Sequence, residues 1–318
     1  MLTAVDKGYT PAPRSLTFGE YAASWLEIRS RHVRPITANA YRPYVNHAVR
    51  AFGARRLADI SRADDERLAA ALDTAGRSRR TTGMLLYVVR AIFAAALDDG
   101  CVTRNPATKV QPSGRAAAPR SAFGAADLGT LRAHAAMDRL HAYWLLTLAG
   151  LRRSEVLGLR WSDVDMTAGP VTIARGVVAD RSGRWGAETA PKTTRGACTL
   201  PVPADILAAL RTLRDAQAAT FGLRQIRTGW LAVDEAGEPH RPEQYSKLCA
   251  RLCTAVGVPL LRLHSARHTS VSRILDADVQ PRIAAVWHGH DVITMSRTYD
   301  HPDADQLGDA GRALFAAP

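Results

Sequence analysis

Cysteine is scarce in this chain: Cys101, Cys198, Cys249 and Cys253 are four residues in 318. None of them shows the Cys-x-x-Cys or Cys/His spacing of a zinc site, and so few in so long a chain make no disulfide framework. Cys249 and Cys253 lie four apart on an expected helix and read as a packed face. Also missing are a run of ~20 apolar residues suited to a membrane span and the charged-then-apolar opening of a signal peptide. The chain is therefore expected to be soluble and cytoplasmic, with no membrane partner. Neither a P-loop nor a carboxylate cage for a metal ion is found, so no cofactor is expected. Lysine is rare as well. Only Lys7, Lys109, Lys192 and Lys247 occur among 42 basic residues, which makes a well-placed lysine easy to notice.

Those 42 basic residues stand against 30 acidic ones, for a formal charge of +12 and an isoelectric point near 10.1. A polyanion is the natural partner of such a chain, which favours nucleic acid without choosing DNA or RNA; a generally basic soluble protein would share the same balance. The charge is spread along the sequence and describes faces of folded domains better than a basic tail. With 318 residues, 47% of them hydrophobic, two domains are expected.

Residues 1–14 carry Pro11 and Pro13 without periodicity and read as a tail. Thr17 and Glu20 then form a capping box, and Phe18, Tyr21, Ala22, Trp25 and Leu26 fall on one helical face. A second helix is expected from Thr37 with Tyr41, Tyr44 and Val45, bent or shifted by Pro43. Ser61 with Asp64 starts a third. The clearest pattern lies at about 80–99, where Leu85, Val88, Val89, Ile92, Phe93 and Ala96 make one stripe that stops at Gly100. Residues 15–110 thus read as a compact helical domain. Positions 111–122, with Pro112, Gly114 and Pro119, read as a linker. The second domain, 123–318, opens with helices at about 125–137 and 140–148, shows strand signals at Val171–Val178 and Ala197–Val202, and returns to helix after Arg241, with breaks near Gly257–Leu261 and Gly289. The fold class is mainly α with a small antiparallel sheet.

Four segments of the second domain carry possible chemistry. Gly150-Leu151-Arg152-Arg153-Ser154-Glu155 puts two arginines at a helix start, where a planar guanidinium can hold two phosphate oxygens; alone, the segment reads rather as an ordinary surface pair with Glu155 as local partner. Pro191-Lys192-Thr193-Thr194-Arg195 falls between the strand signals, on an expected hairpin whose lysine can protonate a leaving oxygen, although exposed turn lysines are common. His264-Ser265-Ala266-Arg267-His268 begins a helix on which His264 and Arg267 share a face. A metal site is disfavoured there because no third ligand follows. Last, Trp287-His288-Gly289-His290 precedes Tyr299 by nine residues counted from His290. A phenol with a pKa near ~10 needs proton acceptance and charge stabilisation to act as a nucleophile, and most tyrosines simply pack.

Taken in order, these elements resemble the tyrosine recombinases of the phage integrase family: a Gly-apolar-Arg-x-x-Glu box, a hairpin lysine, a His-x-x-Arg-His box, a Gly-His, and a tyrosine nine or ten residues later. The likeness extends to the N-terminal half, with Thr103-Arg104-Asn105-Pro106 at the exit of a helical core-binding domain. It implies a core-binding domain joined by a linker to a tyrosine-recombinase-like catalytic domain. It also implies that Arg152, Arg267 and His290 hold the scissile phosphate, with His264 contacting it, that Lys192 protonates the 5′ leaving oxygen, and that Tyr299 forms a 3′-phosphotyrosine. Glu155 and His268 would orient these groups. No metal or ATP is needed in such a scheme.

Two departures stand out. Ser265-Ala266 replaces the usual Asp-Leu, and His288 replaces the usual leucine before Gly289. The tail of residues 1–14 is too short for the arm-binding domain many members carry. As partners the resemblance implies double-stranded DNA, a homotetramer on two DNA sites with residues 304–315 docked on a neighbouring protomer, and accessory DNA-bending or directionality proteins. The two domains are expected to clamp the duplex. The alternatives are a catalytically decayed DNA-binding protein of the same fold, a type IB topoisomerase-like enzyme, and a metal-dependent nuclease.

Overall fold

The computed structural model describes residues 16–116, 123–179, 185–189, 198–259, 263–289, 291–293 and 295. They fall into two compact units, residues 16–116 and the described residues from 123 onward.

The first unit is built from four long helices. Helix α1 (Phe18–His32) starts where the capping box lies: the Thr17 N–H donates to the Glu20 carboxylate at 2.9 Å, and the Glu20 N–H donates to the Thr17 hydroxyl at 3.3 Å. Helix α2 (Pro35–Phe52) begins two residues ahead of Thr37, because Pro35 takes the first position, where a missing N–H is harmless. It runs on through Pro43. At the head of α3 (Arg62–Thr74), the Ser61 N–H and hydroxyl donate to Asp64 at 2.8 and 2.7 Å. Helix α4 (Arg79–Asp98) is long and apolar enough to suit a membrane, yet Leu85, Val88, Val89, Ile92, Phe93 and Ala96 are all buried among the other helices. Phe18 meets Phe52 edge-on at 5.6 Å and Phe93 at 5.7 Å; each such ring contributes ~1.5–3 kcal/mol by leaving water. The stretch read as linker is tied to this unit through residue 115. The Arg79 N–H donates to the Arg115 carbonyl at 3.0 Å, and Ser113 donates to Ala69 at 3.1 Å.

The second unit opens with α5 (Ala125–Ala135), α6 (His141–Leu148) and the short α7 (Arg153–Gly158). The single strand expected over Val171–Val178 is two, β1 (Pro170–Ile173) and β2 (Gly176–Ala179). Strand β2 pairs antiparallel with β3 (Trp185–Thr189), which the alternation pattern did not reveal, and β1 pairs antiparallel with β4 (Cys198–Pro201), Val171 opposite Leu200. The break at Ala174–Arg175 has a packing cause. Gly158 lies so close to the next residues that a Cβ there would stand 2.8 Å from the Arg175 carbonyl oxygen.

Helix also returns earlier than Arg241, in α8 (Ala204–Phe221) and α9 (Leu223–Thr228), ahead of α10 (Pro242–Ala255), α11 (Leu263–Asp276) and α12 (Pro281–His288). Alpha-helix α6 is the hub of this core. Tyr143, Trp144 and Leu146 are buried on it, and Tyr245 of α10 is fully enclosed, its hydroxyl donating to the Tyr143 carbonyl at 3.1 Å and lying 2.7 Å from Thr147. Such a buried hydroxyl needs those partners, and together they fix the helix that delivers the chain to Gly150.

Candidate active site

The turn after α6 takes a conformation that suits glycine: Gly150 has φ +96°. Beyond it, Arg152 caps α7. Its N–H donates to Glu155 at 2.7 Å, and its guanidinium donates to the other oxygen of the same carboxylate at 2.5 Å. Arg153 turns away toward α10, donating to Ser246 at 2.8 Å. The two neighbouring arginines therefore part company, and only Arg152 enters the site.

Arg267 reaches the same place from α11, 115 positions away in sequence. Its side chain is 2% exposed, which a cation tolerates only when its donors are matched. One guanidinium nitrogen donates to the Gly150 carbonyl at 2.8 Å and lies 3.8 Å from the Glu155 carboxylate, and the other donates to the His288 carbonyl. Arg152 in turn lies 3.5 Å from the Gly289 carbonyl, as donor. Gly289 adopts the left-handed conformation, φ 55°, that ends α12 and turns the chain past the arginines. Two guanidinium groups share one carboxylate, so the cluster keeps net positive charge. Arg152, 37% exposed, is the member open to solvent.

Of the residues singled out from sequence, Arg152, Glu155 and Arg267 are thus brought together, and His268 is buried at the next position of α11. His264 lies on the first turn of α11, its side chain outside the described residues, as are Lys192, His290 and Tyr299 altogether.

The cleft holds residues that sequence reasoning passed over. Cys198, at the start of β4, lines it beside Arg152, Glu155 and Arg267. Burial pushes its thiol pKa up, Glu155 adds to that, and the two arginines oppose it. His288 is 2% exposed and packs directly over Gly150. Burial drives its pKa down to about 4; the Ala284 carbonyl opposes this, and Arg267 and Arg152 add to it. Trp287 donates its indole N–H to the Ala149 carbonyl at 2.9 Å. The only signal for His288 was its departure from the leucine expected before Gly289.

Comparison with known proteins gives a concordant picture. Residues 127–306 match the model of the phage integrase family. A tyrosine recombinase XerC-like protein of Caldanaerobacter subterraneus subsp. tengcongensis is 23% identical over 98% of this chain and 86% of its own length. A tyrosine recombinase XerC of Mycobacterium sp. (strain KMS) is 27% identical over 73% of this chain and 75% of its own. Among solved structures, the Tn1549 transposon integrase in complex with a circular intermediate DNA superposes with a TM-score of 0.82 at 18% identity, covering 94% of this chain and all of that one. A lambda integrase dimer bound to a COC′ core site superposes at 0.69, with 18% identity, 91% of this chain and 78% of that one. At such identities the superpositions speak for the fold. The match over more than half of the chain establishes descent, and the chain belongs to the phage integrase family, the tyrosine-type site-specific DNA recombinases.

Proposed function

We propose that this recombinase cleaves and rejoins DNA through a 3′-phosphotyrosine bond to Tyr299. The observation that carries the reading is the convergence of Arg152 and Arg267 on one carboxylate, which pre-aims two guanidinium groups from distant parts of the chain. Preorganised donors of this kind stabilise the charge that develops on a phosphate in its transition state and need no reorganisation as it forms. Arg267 is spent largely on backbone carbonyls and sets the floor of the site, and the more exposed Arg152 meets the non-bridging oxygens.

In this scheme Arg152, Arg267 and His290 hold the phosphate and His264 contacts it. The Tyr299 hydroxyl attacks phosphorus in line, passing its proton to water as the new O–P bond forms. The P–O5′ bond breaks, and Lys192 gives the departing oxygen a proton. Rejoining reverses these steps with a 5′ hydroxyl as nucleophile, so the energy of the phosphodiester is kept and neither ATP nor a metal ion takes part. Glu155 and His268 orient the cationic groups. The substrate is double-stranded DNA, in keeping with the DNA-bound integrases that share the fold. The functional assembly is a homotetramer on two DNA sites, with residues 304–315 docking on a neighbour and accessory bending or directionality proteins assisting.

Nicked suicide DNA tests this. Incubated with the wild-type chain in chelator and run on a denaturing gel, it should carry covalently bound protein, and Tyr299→Phe should abolish the adduct. An adduct that survives in Tyr299→Phe, or one that is lost on chelation, overturns the reading.

A further inference from the structure

We infer that His288, held as a neutral ring, is a positioning residue that fixes the spacing of the two arginines; its bearing on catalysis rests on the phosphotyrosine reading above. Its imidazole sits where three segments meet. Nδ1 lies 2.9 Å from the Ala284 carbonyl within α12, and Nε2 lies 3.0 Å from the Ser270 hydroxyl of α11. The same ring closes over the turn after α6: a Cβ built on Gly150 would stand 2.5 Å from His288 Nε2 and 2.9 Å from the Ser270 hydroxyl. No residue other than glycine leaves room for the imidazole there.

The protons settle the tautomer. A carbonyl oxygen only accepts, so Nδ1 carries the hydrogen and Nε2 is left with a lone pair. The Ser270 hydroxyl has one proton and two acceptors in reach, His288 Nε2 and the Ala149 carbonyl at 3.1 Å. Trp287 already donates to Ala149, so Ser270 can give its proton to the ring without leaving that carbonyl unmatched. A charged ring would face Arg267 and Arg152, with Glu155 engaged by both of them. Neutral His288 is therefore satisfied on both nitrogens, and the apolar burial around it favours that state.

The consequence for the site follows from the backbone. Arg267 uses its two guanidinium arms on the carbonyls of Gly150 and His288, the two chain positions that the imidazole wedges apart. Arg152 follows Gly150 by two residues and reaches the Gly289 carbonyl. The ring thus sets the distance between the strand of chain bearing Arg152 and the helix end that leads toward the catalytic segment. An aliphatic side chain at 288 would fill similar space without the two hydrogen bonds and would leave the turn free to slide.

Three measurements test this. In single-turnover cleavage of suicide DNA at saturating protein, His288→Leu should slow the chemical step by about 10²-fold, the cost of a displacement near 1 Å, with DNA affinity little changed. His288→Gln, whose side-chain oxygen can accept from Ser270, should restore most of the rate. The double variant His288→Leu/Ser270→Ala should be no slower than the worse single, since both act through one hydrogen bond. Wild-type rate in His288→Leu, or additive losses in the double variant, overturns the inference.

Two NMR readouts do not depend on activity. Nitrogen-15 spectra of the histidine rings, assigned with His240→Gln and His288→Gln, should show His288 protonated on Nδ1 and not titrating near 6.5. The Arg267 guanidinium protons should exchange slowly in the wild type and faster in His288→Leu. An Nε2–H ring, or unchanged Arg267 exchange, sinks the proposal. If the wild type forms no adduct, the phosphotyrosine reading falls, and these two spectra alone decide whether His288 positions the arginines.

Discussion

Glu155 is the point of balance in the site, because one nearly buried carboxylate carries two guanidinium groups. It is 11% exposed, whereas Arg267 is 2% exposed and donates to the backbone carbonyls of Gly150 and His288. Removing the carboxylate takes a counter-charge away from a buried cation, and the cost of breaking such a pair from one side is about 3 kcal/mol. Glu155→Ala should lower the unfolding free energy by about that amount in urea titration and should also weaken the site, whereas Arg153→Ala, on the neighbouring but outward residue, should do neither. Equal losses from both would mean that Glu155 is only a surface partner. Arg152 and Glu155 were legible in the sequence, three apart at a helix start. The depth of Arg267 was not, since nothing local distinguishes an arginine aimed inward from one aimed at water. His288 was opaque for a related reason: its partners Gly150 and Ser270 lie far off along the chain, and only folding brings them to the ring.

Within single elements, local rules were strong where capping and period agree, and weak where tertiary packing decides. The box at Thr17, the Ser61–Asp64 start and the α4 stripe all stand as read. The strand break at Ala174–Arg175 depends on the approach of Gly158 of α7, and α8 was passed over although Ile206, Leu210 and Gln217 recur along its buried face. Helix α3 hides a titrating group that its charged composition masks. Asp64 is held low by Arg55 and Ser61, but Asp65 beside it is fully buried, and neither of its oxygens has a hydrogen-bond partner among the described residues. Burial, with Asp64 adding, pushes Asp65 up to about 7, against the opposing charge of Arg90. The folded chain thus binds a proton there that the unfolded chain has already lost above its ordinary value of 3.8. Stability contributed by this site is present at low pH and is lost as pH rises toward and through about 7. Asp65→Asn should therefore be more stable than wild type at pH 8 by a larger margin than at pH 5.5, as read by thermal unfolding. His288, held low in the folded chain, contributes a pH dependence of opposite sense as the unfolded ring titrates, but it is common to both chains and cancels in the comparison. The same margin at both pH values would show that Asp65 is ionised throughout or solvated.

For the molecule as a whole, a formal charge of +12 carried mainly by arginine makes the association with DNA an ion-exchange process. Each phosphate neutralised by a basic side chain releases condensed counterions, so the logarithm of the affinity falls linearly with the logarithm of the salt concentration. On the proposed reading Arg152 and Arg267 account for few of those contacts, and Arg267 already donates to the Gly150 and His288 carbonyls. The bulk of the salt dependence must then come from residues outside the site. A recombinase holding duplex DNA through six or more phosphates should lose on the order of 10³-fold in affinity between 50 and 200 mM salt. Arg152→Ala should lower the steepness of that dependence by about one contact at most, while removing cleavage almost entirely. Fluorescence anisotropy with a labelled duplex measures the salt dependence, and the suicide-DNA gel measures cleavage. A shallow dependence equivalent to one or two contacts would mean that the excess positive charge serves solubility rather than DNA, and that the arginine pair binds a phosphate held in place by other means.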